Sequence, residues 1–159
     1  MKTVYILIGP PLAGKSTFRN KYLPNSFVIC RDDILMELAT TDNYEEAFST
    51  VNQKEVDEIL RAKLVQGKNE ETVVVDMTHM APKRRKHNLS FFPDHKKVAV
   101  VFDFPSEEEF EKRNKKRFAE EQKYISLGIF RNMRDSYIAP QKEEGFNKIV
   151  SVENFKLLK

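Results

Sequence analysis

A doubly wound α/β sandwich, with a parallel sheet of about five strands and helices on both faces, is the fold class that the sequence predicts. Short apolar runs rich in β-branched and aromatic residues alternate with segments of helical spacing. A glycine-containing turn motif also joins the first run to the first helical segment, the strand–loop–helix order of such folds.

The runs are Thr3–Ile8, Phe27–Cys30, Thr72–Asp76, Lys97–Phe104 and Lys148–Val152, each read as a strand buried on both faces. Helical spacing covers Lys15–Tyr22, Asp33–Leu38, Tyr44–Gln66, Pro82–Phe92, Ser106–Gln122 and Leu127–Ile138. Gly67 is a natural stop for the longest helix, and Pro82 suits the first turn of the next. In this fold the functional groups gather at the carboxyl ends of the strands.

A chain of 159 residues fits one domain spanning 1–159, and it shows no repeat, linker or low-complexity stretch. Its 40% apolar and 32% charged content is ordinary for a globular protein. A net charge of +3 permits an acidic ligand without demanding one. Cys30 is the only cysteine, which excludes an internal disulfide and a cysteine-built metal cage and suits a reducing compartment. No run approaches the roughly 20 apolar residues needed to cross a bilayer. The expectation is a cytoplasmic protein (host cytoplasm for a phage-encoded chain) with no membrane partner, and no signal of oligomeric state.

Gly9-Pro-Pro11-Leu12-Ala13-Gly14-Lys15-Ser16-Thr17 matches the pattern G-x-x-x-x-G-K-[ST] in full. Glycines let the backbone curl until successive N–H groups point inward at phosphate oxygens, and the following helix adds its positive dipole end. The pattern predicts binding of ATP with Mg²⁺: Lys15 reaches the β- and γ-phosphates and Ser16 ligates the metal. The plain alternative is a glycine turn with an incidental lysine.

Asp32 and Asp33 directly follow the second strand, facing the crevice of the phosphate loop. Asp32 is the candidate general base for an attacking hydroxyl. Asp33 is better placed to cap the next helix, while staying on the candidate substrate side. Asp76 closes the third strand, where an acid can help hold Mg²⁺ or orient a substrate or a neighbouring arginine; capping is the alternative. Thr78 and Arg84 lie just beyond it. The run Lys83–Lys86 is either a solvated face or a contact for an anionic substrate.

Projected as a helix, Glu107–Glu121 puts Phe110, Arg113, Asn114, Arg117 and Phe118 on one stripe. Two arginines thus share a face with two phenylalanines, and guanidiniums there need anionic partners. ATP phosphates approached by a lid over about residues 112–126 would serve, as would carboxylates. His79, His87 and His95 are scattered and read as surface residues, and Tyr124 and Tyr137 as core. Glu153-Asn154, after the last strand, could frame the adenine.

Together these features resemble the 5′-kinase domain of bacteriophage polynucleotide kinase and related P-loop kinases. The likeness spans nearly the whole chain. It rests on GPPLAGKST, on RDD at Arg31–Asp33, on the block Asp76–Arg85, on VFDFP at Val101–Pro105, on KRNKKR at Lys112–Arg117, and on the series Met133, Tyr137, Pro140, Glu144, Gly145, Phe146. The resemblance implies a P-loop kinase-like three-layer sandwich with an arginine-bearing lid. It also implies Lys15 and Ser16 for ATP and Mg²⁺, Asp32 as general base, Asp76 as a substrate-site acid, and Arg113 and Arg117 as lid arginines, the latter on the phosphates. Leu35 stands where the phage enzyme has a substrate-binding arginine, and Ser126 where a proline is common. No D-x-D-G-T element follows, so no companion 3′-phosphatase is expected.

The expected activity is transfer of the γ-phosphate from ATP to a hydroxyl, first of all the 5′-OH of DNA or RNA. Asp32, Lys15 and Arg117 would be its catalytic residues. The alternatives are a kinase for another hydroxyl (a nucleoside, a small metabolite or a hydroxymethylated base in DNA) and, from another class, an ATPase switch or nucleic-acid-binding module.

Overall fold

In the computed structural model, which describes residues 1–153 and 156–158, six strands form one sheet in the order β2-β3-β1-β4-β5-β6. Along the chain run β1 (Thr3–Ile8), α1 (Lys15–Tyr22), β2 (Phe27–Cys30), α2 (Arg31–Leu38), α3 (Tyr44–Thr50) and α4 (Gln53–Gly67). Then follow β3 (Thr72–Asp76), α5 (Pro82–Leu89), β4 (Lys96–Phe102), α6 (Glu107–Glu121), α7 (Leu127–Ser136), a 3₁₀ turn (Lys142–Glu144), β5 (Lys148–Glu153) and β6 (Lys156–Leu158). β1 to β5 pair in parallel. β6 adds antiparallel to β5, a strand that the sequence did not announce.

Alternate residues of the central strands feed two separate cores. Val73 and Val75 of β3 join Ile6, Ile29, Leu60 and Phe92 on one face. Val74 joins Leu7, Phe18, Val100 and Phe102 on the other. Burial on both sides explains why β1 and β3 read as unbroken apolar runs. β5, farther out, alternates buried and exposed positions instead. Among the described residues, no helix is long and apolar enough to cross a membrane.

Several boundaries differ from the sequence reading. The single helix expected over Tyr44–Gln66 is two helices, because Val51 is extended and each helix has its own asparagine cap. Asn43 Oδ1 accepts from Glu46 N, and Asn52 Oδ1 from Lys54 N and Glu55 N, which satisfies amides that an unbroken helix would have paired internally. α2 starts at Arg31 with Cys30 as its N-cap, so Asp33 lies in the first turn and does not cap the helix. β4 ends at Phe102, which frees Asp103 and Phe104 for the following loop.

The histidines and one tyrosine also depart from expectation. His79 and His95 are buried, whereas Tyr124 is exposed. His79 takes φ 52°, with Nδ1 2.7 Å from the Leu7 carbonyl and Nε2 2.9 Å from Asn88 Nδ2. The carbonyl needs a donor and the amide an acceptor, so the ring is neutral with its proton on Nδ1. Within the basic run, Arg85 is fully buried in a fork on Glu144 at 2.7 and 3.0 Å and donates to the His79 carbonyl at 2.8 Å. These contacts fix the segment after Asp76. Asn154 lies outside the described residues.

Candidate functional site

Strand register sets the site. Asp76 pairs with Leu7 on one side and with Cys30 on the other. The loop after β1, the start of α2 and the end of β3 therefore open on the same sheet edge. The loop turns through two left-handed residues, Leu12 at φ 64° and Gly14 at φ 94°, and Gly14 caps α1. Gly9 N donates to the Thr78 carbonyl at 3.1 Å. Lys15 Nζ arches back to the Gly9 carbonyl at 2.7 Å.

A cavity of about 940 Å³ opens at this edge. Pro11, Leu12, Gly14, Lys15, Ser16 and Thr17 line its loop side, and Asp32, Asp33, Asp76 and Thr78 its strand-end side. Arg113 and Arg117 of α6 line it as well. Gly9 is buried beneath the loop, outside the cavity lining. Ala13 faces an adjoining hollow of about 230 Å³ with Phe104, Pro105 and Glu153, and Arg113 borders both spaces. Arg84 is not brought in: it is exposed on α5, because the cavity-distant Arg85 takes that helix's inward position.

Charge is dense on the strand-end wall. Arg19 of α1 spans two carboxylates, with Nη1 3.0 Å from Asp76 Oδ2 and Nη2 3.1 Å from Asp33 Oδ2. Burial, reinforced by Asp33 and Asp32, raises the Asp76 pKa although Lys15 and Arg19 oppose it. Burial lowers Lys15 to about 8 against the pull of Asp76 and Asp32. It also raises the Cys30 thiol to about 11, so the thiol stays protonated. Asp32 is different. Burial works against its ionised form, but Lys123, Tyr44 and Arg117 outweigh that and hold its pKa below the usual carboxylate range.

Arg113 and Arg117 have carboxylate partners on their own helix. Arg113 Nε lies 2.9 Å from Glu109 and its Nη1 donates to the Leu12 carbonyl at 2.7 Å. Arg117 Nε lies 3.5 Å from Glu121. Of their stripe, Phe110 and Asn114 are buried while Phe118 is exposed. Phe110 stacks on Phe130 of α7 at 4.2 Å. Asn114 pins the segment after α6 by donating to the Ile125 carbonyl at 2.6 Å and accepting from its N–H at 3.1 Å.

Arg19, Tyr44 and Lys123 were missed by the sequence reading. Arg19 carried a usable signal, since it follows Lys15 by one helical turn and shares its face. Lys123 and Tyr44 carried none, because their contacts with Asp32 depend on where α3 and the segment after α6 come to rest.

Solved structures give the wider setting. A chain of the PezAT toxin–antitoxin system of Streptococcus pneumoniae superposes with a TM-score of 0.68 at 13% identity, covering 100% of this chain and 70% of that one. A gluconokinase from Sinorhizobium meliloti 1021 gives 0.56 at 12% identity, over 94% and 82%. A chain of a Pnkp1/Rnl/Hen1 complex gives 0.55 at 24% identity over 70% of this chain; the match spans only 38% of that longer chain. These likenesses show the fold, a P-loop kinase-like α/β sandwich. No curated protein matches the chain. From the first strand to the loop after α7, residues 4–140 match the AAA domain family, and the chain belongs to that family.

Proposed function

We propose that this protein is an ATP-dependent kinase that moves the γ-phosphate to a hydroxyl, with the 5′-OH end of DNA or RNA as its first acceptor. The observation that carries the reading is that Lys15, Asp32 and Arg117, from three separate elements, face one cavity. The loop amides from Leu12 to Thr17 cradle the triphosphate, and Lys15 and Arg117 meet the charge that develops on the transferred group. Arg113, on the boundary of both spaces, aligns the chain of phosphates, while the adjoining hollow holds the base.

Mg²⁺ fits the donor set. Ser16 and Asp76 offer hard oxygens on the wall beside Lys15, and the Cys30 thiol is held protonated. Bound there through Ser16 and phosphate oxygens, the ion would neutralise phosphate charge. The chain's own step is at Asp32. The acceptor oxygen forms the new O–P bond, the bond from phosphorus to the β,γ-bridging oxygen breaks, ADP leaves, and the hydroxyl proton passes to the Asp32 carboxylate.

The polynucleotide acceptor draws its support from the RDD and DMTHMAPKRR blocks. One observation favours a second reading, a kinase for a small uncharged hydroxyl compound. Leu35 is fully buried and offers nothing to a phosphate, and the wall around Asp32 carries Asp33 and Asp42 with Lys123 as its nearest cation. Label transfer from [γ-³²P]ATP separates the two. Labelled 5′-OH oligonucleotides support the first, label only on nucleosides or sugar alcohols the second, and hydrolysis with no acceptor an ATP-driven switch.

A further inference from the structure

Both oxygens of the Asp32 carboxylate are taken by donors of the protein itself. The Tyr44 hydroxyl donates to Oδ1 at 3.0 Å, and Lys123 Nζ donates to Oδ2 at 3.0 Å. The two donors also meet each other, since Nζ lies 4.2 Å from the centre of the Tyr44 ring. Lys123 is 13% exposed, so its ammonium has given up most of its water and depends on this carboxylate and this ring. The segment that brings it is held by the paired Asn114–Ile125 hydrogen bonds.

The two contacts are unequal. A neutral phenol on a carboxylate is the weaker donor, whereas an ammonium on a carboxylate in a half-buried site is a charge-assisted pair. An alcohol arriving at Asp32 offers the same kind of bond as the phenol and can replace it oxygen for oxygen. It cannot replace the ammonium without stranding a buried charge.

We propose that Tyr44 and Lys123 are positioning residues for Asp32: the Tyr44 hydroxyl holds the acceptor's place at Oδ1 and is displaced by it, while Lys123 remains on Oδ2 and fixes the orientation and charge of the carboxylate. The proposal rests on Asp32 being the base. It assigns the acceptor oxygen to the Oδ1 side, toward α3. Other charged and titratable groups also face this carboxylate. Arg117 comes from α6, Lys15 from the phosphate loop, Asp76 from β3 and Cys30 from β2. Asp33 is its neighbour in the chain, and Arg31 acts on Tyr44. Those groups act through space, whereas Lys123 and Tyr44 donate hydrogen bonds directly to the Asp32 carboxylate.

The test is a carbon-13 titration of the Asp32 carboxyl in the isolated protein, assigned with Asp32→Asn. Lys123→Ala moves the Asp32 curve upward, Lys123→Arg keeps it low, and Tyr44→Phe moves it upward by less. A Lys123→Ala curve superposed on the wild type overturns the proposal, and Lys123→Gln repeats the measurement should the alanine variant unfold. A second readout uses a 5′-OH oligodeoxynucleotide with [γ-³²P]ATP. Tyr44→Phe lowers the acceptor KM about fivefold with kcat little changed, the worth of one neutral hydrogen bond. A raised KM would make Tyr44 part of the acceptor's binding surface and overturn the displacement. Should no oligonucleotide be labelled, the polynucleotide reading fails, and the titration still decides the positioning roles.

Discussion

Arg19 Nη1 lies 3.0 Å from Asp76 Oδ2, so the helix that follows the phosphate loop is tied directly to the end of β3. The same guanidinium reaches Asp33 at 3.1 Å. One side chain therefore holds two of the acids on the cavity wall. Arg19→Met leaves Asp76 buried without this partner, and breaking such a pair costs about 3 kcal/mol. Urea unfolding of Arg19→Met, Asp76→Asn and the double variant checks it. The double variant is expected to lose clearly less than the sum of the singles, because the Asp76→Asn change removes the charge that Arg19→Met alone would strand.

Lys15 gives a proton-linked signature of nucleotide binding. Its folded pKa is about 8 against the ordinary 10.5. Between those values the unfolded chain binds more protons there than the folded one, so this lysine's contribution to stability rises with pH across that window. A triphosphate beside the ammonium favours the charged form. ATP binding is expected to take up a proton near pH 8 and to weaken as pH rises further. Calorimetry in buffers of different ionisation enthalpy measures the uptake, and Lys15→Met abolishes it.

Gly9 has no room for a side chain. A Cβ built there stands 2.8 Å from Phe102 Cβ. Gly9→Ala is expected to push the loop off β4, lowering both the melting temperature and ATP affinity. Phe102→Ala does not rescue it, because alanine keeps the clashing carbon. Thermal melts with and without ATP read both effects.

His79 sets an acid limit. Burial holds it neutral to about pH 4, well below the ordinary 6.5. The unfolded chain binds its proton first, so stability falls as pH drops from about 6.5 through about 4, by up to about 3 kcal/mol. His79→Asn tolerates the left-handed backbone and removes the titration. Its stability is expected to lie below the wild type at neutral pH and to change less over that range.

Most of the fold could be read from the chain because burial on both sheet faces leaves continuous apolar runs, as in TVYILI and TVVVD. The helix break at Val51–Asn52 was hidden because helical spacing continues across it, and only the asparagine cap marks the stop. At the site, Gly9–Thr17, Asp32 and Asp76 lie at or just after strand ends in the sequence, so local pattern was enough to find them. Arg85 and Arg84 are adjacent basic residues, and only the fold decides which turns inward to Glu144. Lys123 reaches Asp32 across 91 positions. A sequence records no such contact unless the resting place of the segment after α6 is known.

Asp32 as the base is tested most directly by measuring transfer and binding together, in wild type and in Asp32→Asn. [γ-³²P]ATP is offered with 5′-OH oligonucleotides, nucleosides and sugar alcohols, while calorimetry follows ATP affinity. Label is expected on one hydroxyl class in the wild type, with a loss of transfer of about a hundredfold or more in Asp32→Asn, on the order expected of a lost general base, and ATP affinity largely kept. Undiminished transfer by Asp32→Asn would contradict a base at Asp32.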